Sequence, residues 1–181
     1  LVGQQFLSQA LDDPRVHTLV TPTRRPLTIT HDKLVAPIVS FDDLPANADW
    51  WQADAAICTL GTTIKKAGSR EKFREVDHDY PLAVARLARM HGTPSFAIVS
   101  AMGANPNSLF FYSRVKGELE ADLTALDFPS LTLAMKVLQL LNPLIPKSLR
   151  VNAGATIAQA LLNAALQGRT GIRVITSAQM S

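Results

Sequence analysis

The sequence predicts an α/β fold in which a parallel sheet is covered by helices on both faces. Short apolar runs rich in Val and Ile alternate with longer segments in which apolar residues recur every three or four positions. The short runs are mostly continuous rather than alternating, which is typical of strands buried on both faces. Strands that alternate with helices favour a parallel sheet, with ligands bound beyond the carboxyl ends of its strands.

Six strands and three main helices are predicted along the chain. Apolar runs predict the strands, at 16–21, 34–40, 54–60, 95–100, 130–134 and 172–176. Apolar stripes predict the helices, at 73–88, 111–123 and 157–166. Pro81 lies inside the first stripe and lacks a backbone donor, so we expect a kink or break there.

Two connections in this order are unusual for a doubly wound sheet. The chain opens on a helical pattern, although such a sheet is built outward from a central first strand. The run 130–134 continues into "MKVLQLL" without the polar or Gly/Pro residues of an ordinary connection. We therefore expect residues to be missing before Leu1 and between Ala134 and Met135, with small substrate-side elements around 135–152.

The composition is that of one globular domain over residues 1–181. Hydrophobic residues make up 47% of the chain and charged residues 18%, which allows a sizeable core. No apolar run approaches the roughly 18 residues that span a bilayer, so we expect no membrane partner. The net charge of +3 comes with dispersed Lys and Arg, which is typical of a solvated surface rather than a nucleic-acid interface.

Cysteine and histidine usage excludes two further classes of site. Cys58 is the only cysteine, so an internal disulfide is impossible, and a reducing compartment is favoured. No basic signal-peptide segment opens the chain, and we predict a cytoplasmic protein. The four histidines do not stand with Cys or carboxylates at ligand spacing, which predicts no metal site.

Two polar stretches predict a dinucleotide site. Gly3 would take the place of the last glycine in a G-x-x-G-x-x-G turn, which lets a helix pack close to the sheet with its N-terminus facing a pyrophosphate. Without that context, a glycine near a helix start is the favoured interpretation. The third strand ends in a turn that offers a glycine and two hydroxyls to a phosphate or ribose: Leu60, Gly61, Thr62 and Thr63. An equally good interpretation of this turn is a helix cap.

An arginine pair after the first predicted strand bears on the choice of cofactor. An acidic residue at this strand end would accept a hydrogen bond from a ribose 2′-hydroxyl and favour NAD. Arg24 and Arg25 stand there instead, and their guanidinium groups suit the 2′-phosphate of NADP(H). NAD(H) and a solvated arginine pair are the alternatives.

Ser100, Tyr112 and Lys116 predict proton chemistry at the end of the fourth strand. Ser100 ends that strand, and Tyr112 and Lys116 follow it one helical turn apart on a shared helix face. The pattern favours reduction of a carbonyl or oxidation of an alcohol. Tyr112 would exchange the substrate proton, Ser100 would orient the substrate oxygen, and Lys116 would hold the nicotinamide ribose and favour the phenolate. On its own, this Tyr–Lys spacing is more often an exposed helix face.

The size of the pKa shift that one cation can cause limits how far Lys116 alone lowers the pKa of Tyr112. A free tyrosine has a pKa near ~10, and lowering it to ~7 takes about 4 kcal/mol. One nearby cation lowers a pKa by roughly 1–3, so Lys116 is marginal without help from the positive charge of an oxidised nicotinamide. We therefore expect Tyr112 to be a poor base in the protein without cofactor.

At this point the chain resembles the atypical branch of the short-chain dehydrogenase/reductase superfamily, and in particular the NAD(P)H-binding proteins grouped with the Tat-interacting protein and their bacterial relatives. The segments that carry the resemblance are "CTLGTT", "FREVDHDYPLAVARLA", "SAMGANPNSLFFYSRVKGELE" and "RVNAGATIAQALLNAAL". The resemblance implies a Rossmann fold, NADP(H) binding and a Ser/Tyr/Lys site at Ser100, Tyr112 and Lys116. By family analogy, it also implies a homodimer through the helix at 106–125.

The chain departs from its relatives after the fourth strand. Several relatives have a serine pair where this chain has Ser100 followed by Ala101. If the second serine orients the substrate, another polar group in the following loop would replace it, and the candidates are Asn105, Asn107 and Ser108. The leading hypothesis is an NADP(H)-dependent oxidoreductase with a small-molecule substrate. The alternative is a dinucleotide-binding regulator with little turnover.

Overall fold

The predicted α/β order is confirmed in a computed structural model, which describes residues 2–136 and 147–176 of the chain. Each of the six predicted strands overlaps an observed one. The strands are β1 (Leu19–Val20), β2 (Leu34–Val35), β3 (Ala56–Cys58), β4 (Ser95–Ala101), β5 (Ser130–Lys136) and β6 (Gly171–Ile175). The helices are α1 (Val2–Asp12), α2 (Ile64–Ala67), α3 (Arg70–Arg74), α4 (Tyr80–Met90), α5 (Phe111–Ala125) and α6 (Lys147–Gln167).

All strand pairs in the described part of the chain are parallel. Strand β1 pairs with β2, and the other four strands form a sheet in the order β3-β4-β5-β6. The expectation that a strand precedes Leu1 stays a prediction.

Helices cover the four-stranded sheet on both faces, because successive side chains of a strand point to opposite sides. Even-numbered residues of β4 such as Phe96 and Ile98 pack with apolar residues of α4 and α5. On the other face, Ala97 packs with apolar residues of α1 and α6. This two-sided burial explains why the strand patterns were continuous rather than alternating.

The break predicted at Pro81 is confirmed as a π-helical turn. Residues Glu75–Asp79 separate α3 from α4, and the N–H of Tyr80 donates to the carbonyl of Glu75, five residues earlier. Pro81 then lies in the first turn of α4, directly after the wider turn, which accommodates a residue that has no N–H to donate. The wider turn changes the direction in which the residues on either side of it point.

The predicted end of the fifth strand was wrong by two residues. Strand β5 continues through Met135 and Lys136, which pair with Ser100 and Ala101 of β4. Pairing with a long neighbour therefore extends the strand past Ala134, and no helix begins there. Most of the predicted substrate-side elements at 135–152 lie outside the described residues, except that 147–152 open α6.

Among residues 2–136 and 147–176, no helix is both long and apolar enough to cross a bilayer. The same residues include no group of three or more His, Cys, Asp or Glu side chains that could hold a metal ion.

Candidate functional site

Gly3 lies against the turn that follows β3, as the dinucleotide interpretation requires. A Cβ atom at position 3 would lie 2.8 Å from Oγ1 of Thr59, well inside the normal contact distance between such atoms. A larger residue would therefore require the Thr59 side chain or the start of α1 to move, and glycine allows the close approach without that change. The structure brings together the predicted cofactor glycine and the turn at residues 60–63.

The turn is tied to the π-helical segment by Asp77. The backbone N–H of Thr62 donates to Oδ2 of Asp77 at 2.7 Å, and a Cβ atom at Gly61 would lie 3.5 Å from Oδ1 of the same carboxylate. The hydroxyl of Thr63 caps α2 by accepting from the N–H of Lys66. The cap interpretation is thus confirmed for Thr63, while Leu60 and Thr62 are partly buried and Gly61 is exposed.

Lys116 lies on the other side of Asp77. Its Nζ is 2.7 Å from Oδ1 of Asp77, and the two side chains are only 5% and 2% exposed. Two charges so deeply buried are tolerated because they neutralise each other and because the second carboxylate oxygen also accepts a hydrogen bond. Asp77 therefore connects the turn at 60–63 to the lysine of the predicted catalytic pair.

Tyr112 lies one turn before Lys116 and is half-buried. Its ring packs against that of Phe73, with the centroids 5.6 Å apart. Burial raises the pKa of Tyr112, and the negative charge of Asp77 raises it further. Burial is the larger of the two causes, and Asp77 adds to it while pairing with the ammonium of Lys116, which would lower that pKa if it were unpaired. This direction agrees with the expectation that Tyr112 is a poor base without cofactor.

Ser100 is engaged by a residue that the sequence analysis did not single out. Its hydroxyl, in a residue that is 4% exposed, donates to Oε1 of Glu120. Burial raises the pKa of Glu120, which the bond from Ser100 and the charge of Lys116 partly offset. Tyr112, Lys116 and Glu120 recur every four residues along α5. The substrate-orienting role of Ser100 stays a prediction.

The polar residues of the loop before α5 form hydrogen bonds within that loop and to α5. Oδ1 of Asn105 accepts from the N–H of Asn107, and Oγ of Ser108 accepts from the N–H of Phe110. The N–H of Asn105 donates to the carbonyl of Ser113 on α5. These bonds fix the path of the chain from Ala101 to Tyr112, and a substrate-orienting role for any of the three stays a prediction.

Gly117 allows this loop to rest on α5. A Cβ atom at position 117 would lie 2.3 Å from the backbone carbon of Asn105 and 2.3 Å from the backbone nitrogen of Pro106. Any other residue would force the helix and the loop apart. Because Gly117 directly follows Lys116, this contact sets how close the part of α5 that carries Lys116 lies to the loop at Asn105 and Pro106.

Two further ties lock α5 against the segment that carries Asp77. Arg74 forms an ion pair with Glu118, and Nε2 of His78 lies 3.0 Å from Oδ2 of Asp122. Arg74 and His78 are four residues apart, and so are their partners Glu118 and Asp122 on α5, so the two contacts lie one helical turn apart. The position of Lys116 relative to Asp77 is therefore held by several contacts.

Arg24 and Arg25 follow β1, where the sequence placed them, and both are exposed. The hydroxyl of Thr23 donates to the carbonyl of Arg25 at 2.9 Å, which folds the chain after the strand. A cavity of about 300 Å³ lies further along this connection, and none of the predicted site residues lines it. The arginines are thus free to meet a ligand, and their cofactor role stays a prediction.

Asp77 and Glu120 are the residues that the sequence analysis missed. Asp77 stands four positions after Phe73, on the apolar stripe of a predicted helix, and Glu120 stands four after Lys116. A carboxylate on a buried stripe needs a partner, and that spacing was the available signal. Its partner could not be read from the sequence, because Lys116 lies on a different helix.

Comparison with known proteins finds relatives in fungi and in a mammal, and no family model matches the chain. Protein FMP52, mitochondrial, of Candida albicans is 32% identical over 136 residues, which are 71% of this chain and 58% of that protein. The FMP52 protein of Saccharomyces cerevisiae is 34% identical over 71% of this chain and 57% of its own length. Protein HTATIP2 of Rattus norvegicus is 35% identical over 72% of this chain and 55% of its own length. The chain therefore spans little more than half the length of these curated relatives.

Solved structures share the fold at low sequence identity. The Bordetella bronchiseptica enzyme WbmH, in complex with NAD+, superposes with a TM-score of 0.68 at 13% identity, over 96% of this chain and 71% of that one. MoeE5, in complex with UDP-glucose and NAD, gives 0.71 at 12% identity, over 97% and 72%. These similarities confirm the Rossmann-like fold that the sequence predicts.

The prediction of a cytoplasmic protein is wrong by the same comparison. The FMP52 relatives from Candida, Debaryomyces and Saccharomyces are all named as mitochondrial proteins. The prediction rested on a lone cysteine and on the first residues, and a reducing environment does not by itself identify the cytoplasm.

Proposed function

Because the chain belongs to the atypical branch of the short-chain dehydrogenase/reductase superfamily, we propose that it is an NADP(H)-dependent oxidoreductase acting on a small carbonyl or alcohol. One observation carries the proposal. A continuous set of contacts runs from Gly3 against Thr59, through the turn to Asp77, and on to Lys116, one helical turn from Tyr112. A dinucleotide turn and a proton-transfer pair thus share one corner of the fold.

The residues present fit a dinucleotide. The absent side chain at Gly3 lets the start of α1 lie against the turn after β3, which is the arrangement that suits a pyrophosphate. The backbone around the exposed Gly61 and the ammonium of Lys116 would hold the remainder of the cofactor. When bound, the nicotinamide supplies or accepts the hydride.

The protein contributes the proton. Tyr112 is half-buried beside Phe73 and carries its hydroxyl proton at neutral pH, because burial and Asp77 raise its pKa. A positioned phenol of this kind serves as a general acid toward a carbonyl oxygen.

For the cofactor, the exposed Arg24 and Arg25 favour the 2′-phosphate of NADP(H) over NAD(H). For the location, we extend to this chain the mitochondrial assignment in the relatives' names.

The first experiment measures cofactor binding and turnover separately. NADPH is titrated into the wild type and into Tyr112→Phe while the quenching of Trp fluorescence is followed, and both proteins are then assayed against a panel of aldehydes and ketones. We expect equal NADPH affinity, with turnover lost at least a hundredfold in the variant. Failure of the wild type to bind NADPH or NADH would refute the proposal.

The second experiment tests cofactor choice. In Arg24→Ala with Arg25→Ala, we expect NADPH affinity to fall by at least tenfold while NADH affinity stays within twofold. The exposed Arg86 on α4 gives the control variant Arg86→Ala, which lowers the net charge without touching the end of β1. Equal losses for both cofactors would remove the assignment to NADP(H).

One observation favours a second function, a dinucleotide-binding regulator without turnover. Ala101 replaces the second serine of several relatives, and the hydroxyl of Ser100 is already bonded to Glu120. Orientation of a substrate oxygen would then fall to Tyr112 alone. NADPH binding without turnover of any carbonyl in a broad panel, in the wild type, would favour this function.

A further inference from the structure

Asp77 occupies the centre of the candidate site without being part of its expected Ser/Tyr/Lys set. It lies in the π-helical turn Glu75–Asp79, is 1% exposed, and its two oxygens contact two different elements. One accepts from the N–H of Thr62, and the other lies 2.7 Å from Nζ of Lys116. The turn that widens the helix is what carries this carboxylate between the two.

We propose that Asp77 is a positioning residue that holds the ammonium of Lys116 and neutralises its charge, so that Tyr112 works as a proton donor and the site is set for carbonyl reduction. This inference rests on the proposed function, and it goes further by naming a direction of reaction and a class of substrate. An isolated lysine one turn from the tyrosine would favour the phenolate, which is the form needed to oxidise an alcohol. The buried carboxylate removes that bias.

The other groups around Tyr112 do not replace the missing positive charge. On α5 itself, Lys116 is paired with Asp77, and Glu120 accepts from Ser100. On β3, burial raises the pKa of the Cys58 thiol to about 11, so it carries no charge at neutral pH. From the π-helical turn comes Asp77, whose charge opposes the phenolate. On α3, which packs on Tyr112 through Phe73, Arg74 is paired with Glu118, and the guanidinium of Arg70 lies over the ring of Phe111. Burial and the charge of Asp77 together favour the protonated phenol.

The reaction balances with Tyr112 as the acid. A hydride from the reduced nicotinamide forms a new C–H bond at the carbonyl carbon, and the electron pair of the C=O π bond moves to oxygen. That oxygen takes the proton of the Tyr112 hydroxyl, which yields an alcohol, an oxidised nicotinamide and a phenolate. Uptake of one proton from solvent then restores the Tyr112 hydroxyl, so that each reduction consumes one proton overall. Reduction should therefore proceed at constant rate through neutral pH and slow only as pH rises through the pKa of Tyr112, while oxidation should speed up over the same range.

The test reads the tyrosine directly, in the protein without cofactor. The chain has two tyrosines, and a hydrogen bond to Asp42 helps to raise the pKa of the other one, Tyr80, to about 12. In Tyr80→Phe, the ultraviolet absorbance of phenolate against pH reports Tyr112 alone. We expect a midpoint above the ordinary value of ~10. A midpoint below that value would overturn the proposal.

Substitution at position 77 isolates the charge from the hydrogen bond. Asp77→Asn, in the Tyr80→Phe background, keeps an oxygen that accepts from Thr62 but leaves Lys116 unneutralised. We expect the Tyr112 midpoint to fall by about one pH unit or more. The control is Asp79→Asn, two residues along the same turn and exposed, for which the midpoint should stay within about 0.3 pH units. An unchanged midpoint in Asp77→Asn would overturn the proposal.

A second pair of variants keeps the test decisive if Asp77→Asn does not fold. Lys116→Gln and the double variant Asp77→Asn with Lys116→Gln differ only in the charge at position 77, and the double variant buries no charge at this pair. We expect a higher Tyr112 midpoint in Lys116→Gln, whose carboxylate is not neutralised, than in the double variant, which has no charge at this pair. Equal midpoints in these two variants would overturn the proposal. Because every titration omits the cofactor, a protein that fails to bind NADPH would refute the proposed function without altering these readings.

Discussion

Gly117 is the point at which the loop before α5 touches that helix, and replacing it with alanine tests the packing of the site. The added Cβ atom would lie 2.3 Å from two backbone atoms, the carbonyl carbon of Asn105 and the nitrogen of Pro106. Backbone atoms cannot rotate away as a side-chain end does. The loop and α5 must therefore separate by about 1 Å to reach an ordinary contact distance.

Two opposing effects decide the size of the change. Alanine is about 1 kcal/mol better than glycine inside a helix, so the substitution would stabilise an unobstructed position. Forcing an extra methyl group into a packed contact typically costs about 1–3 kcal/mol, and an overlap with backbone on two sides belongs at the upper end. We expect Gly117→Ala to lower the free energy of unfolding by about 2 kcal/mol.

The chain offers a matched control in α6. A Cβ atom at Gly154 would meet nothing within 4 Å, so Gly154→Ala should raise the free energy of unfolding by up to ~1 kcal/mol. Urea unfolding followed by Trp fluorescence measures both, and at a slope of about 2 kcal/mol per molar the midpoints should move by roughly 1 M downward and 0.5 M upward. Two shifts in the same direction would refute the packing argument. Because α5 carries Tyr112 and Lys116, Gly117→Ala should also weaken any NADPH-linked activity.

Three further outcomes follow from buried groups. Lys116→Met leaves Asp77 buried without its cation and should lower the free energy of unfolding by about 3–5 kcal/mol. Adding Asp77→Asn to this variant should restore most of that loss. A Lys116→Met protein as stable as the wild type in urea would contradict this. Thr93 is 0% exposed, and its hydroxyl donates to the carbonyl of Trp51 and accepts from the N–H of Ala53. Thr93→Val should therefore lower the free energy of unfolding, measured in urea, by about 2–3 kcal/mol. The control Thr124→Val, on the exposed face of α5, should lower it by less than ~0.5 kcal/mol. Burial raises the pKa of Cys58 to about 11, so at pH 8 about one thiol in a thousand is ionised and iodoacetamide should label the native protein far more slowly than the urea-unfolded chain. Because the unfolded thiol loses its proton at lower pH than the folded one, this group makes the free energy of unfolding fall between about pH 9 and 11.

Much of the fold could be predicted because its strands are buried on both faces. The run at 95–100 is apolar on both sides of β4, since helices cover both faces of the sheet, and a continuous apolar run is what that burial leaves in a sequence. Pro81 likewise predicted a break from its chemistry alone. The end of β5 could not be predicted, because Met135 and Lys136 are held in the strand by pairing with β4. Nothing local to "AMK" specifies that pairing.

The site was predicted in part for a related reason. Tyr112 and Lys116 lie on one helix, where a spacing of four residues fixes their shared face. Gly3 and the turn at 60–63 were predicted from a motif whose chemistry is local to a strand end, and their cofactor role stays a prediction. What the sequence could not supply was the partner of each polar group across an interface, such as Glu120 for Ser100.

Asp77 shows why that limit matters for function. The sequence places a lysine beside a tyrosine, and the expected consequence is a lowered tyrosine pKa. The structure adds burial of the phenol and a carboxylate from another helix, 2.7 Å from the same ammonium, and together they raise the pKa of Tyr112. Identical spacing within α5 thus supports opposite proton chemistry, depending on what the segment Glu75–Asp79 presents to it. Under the proposal, the proton chemistry of Tyr112 therefore depends on the contact between two helices, and residue 77 is the position at which to test it.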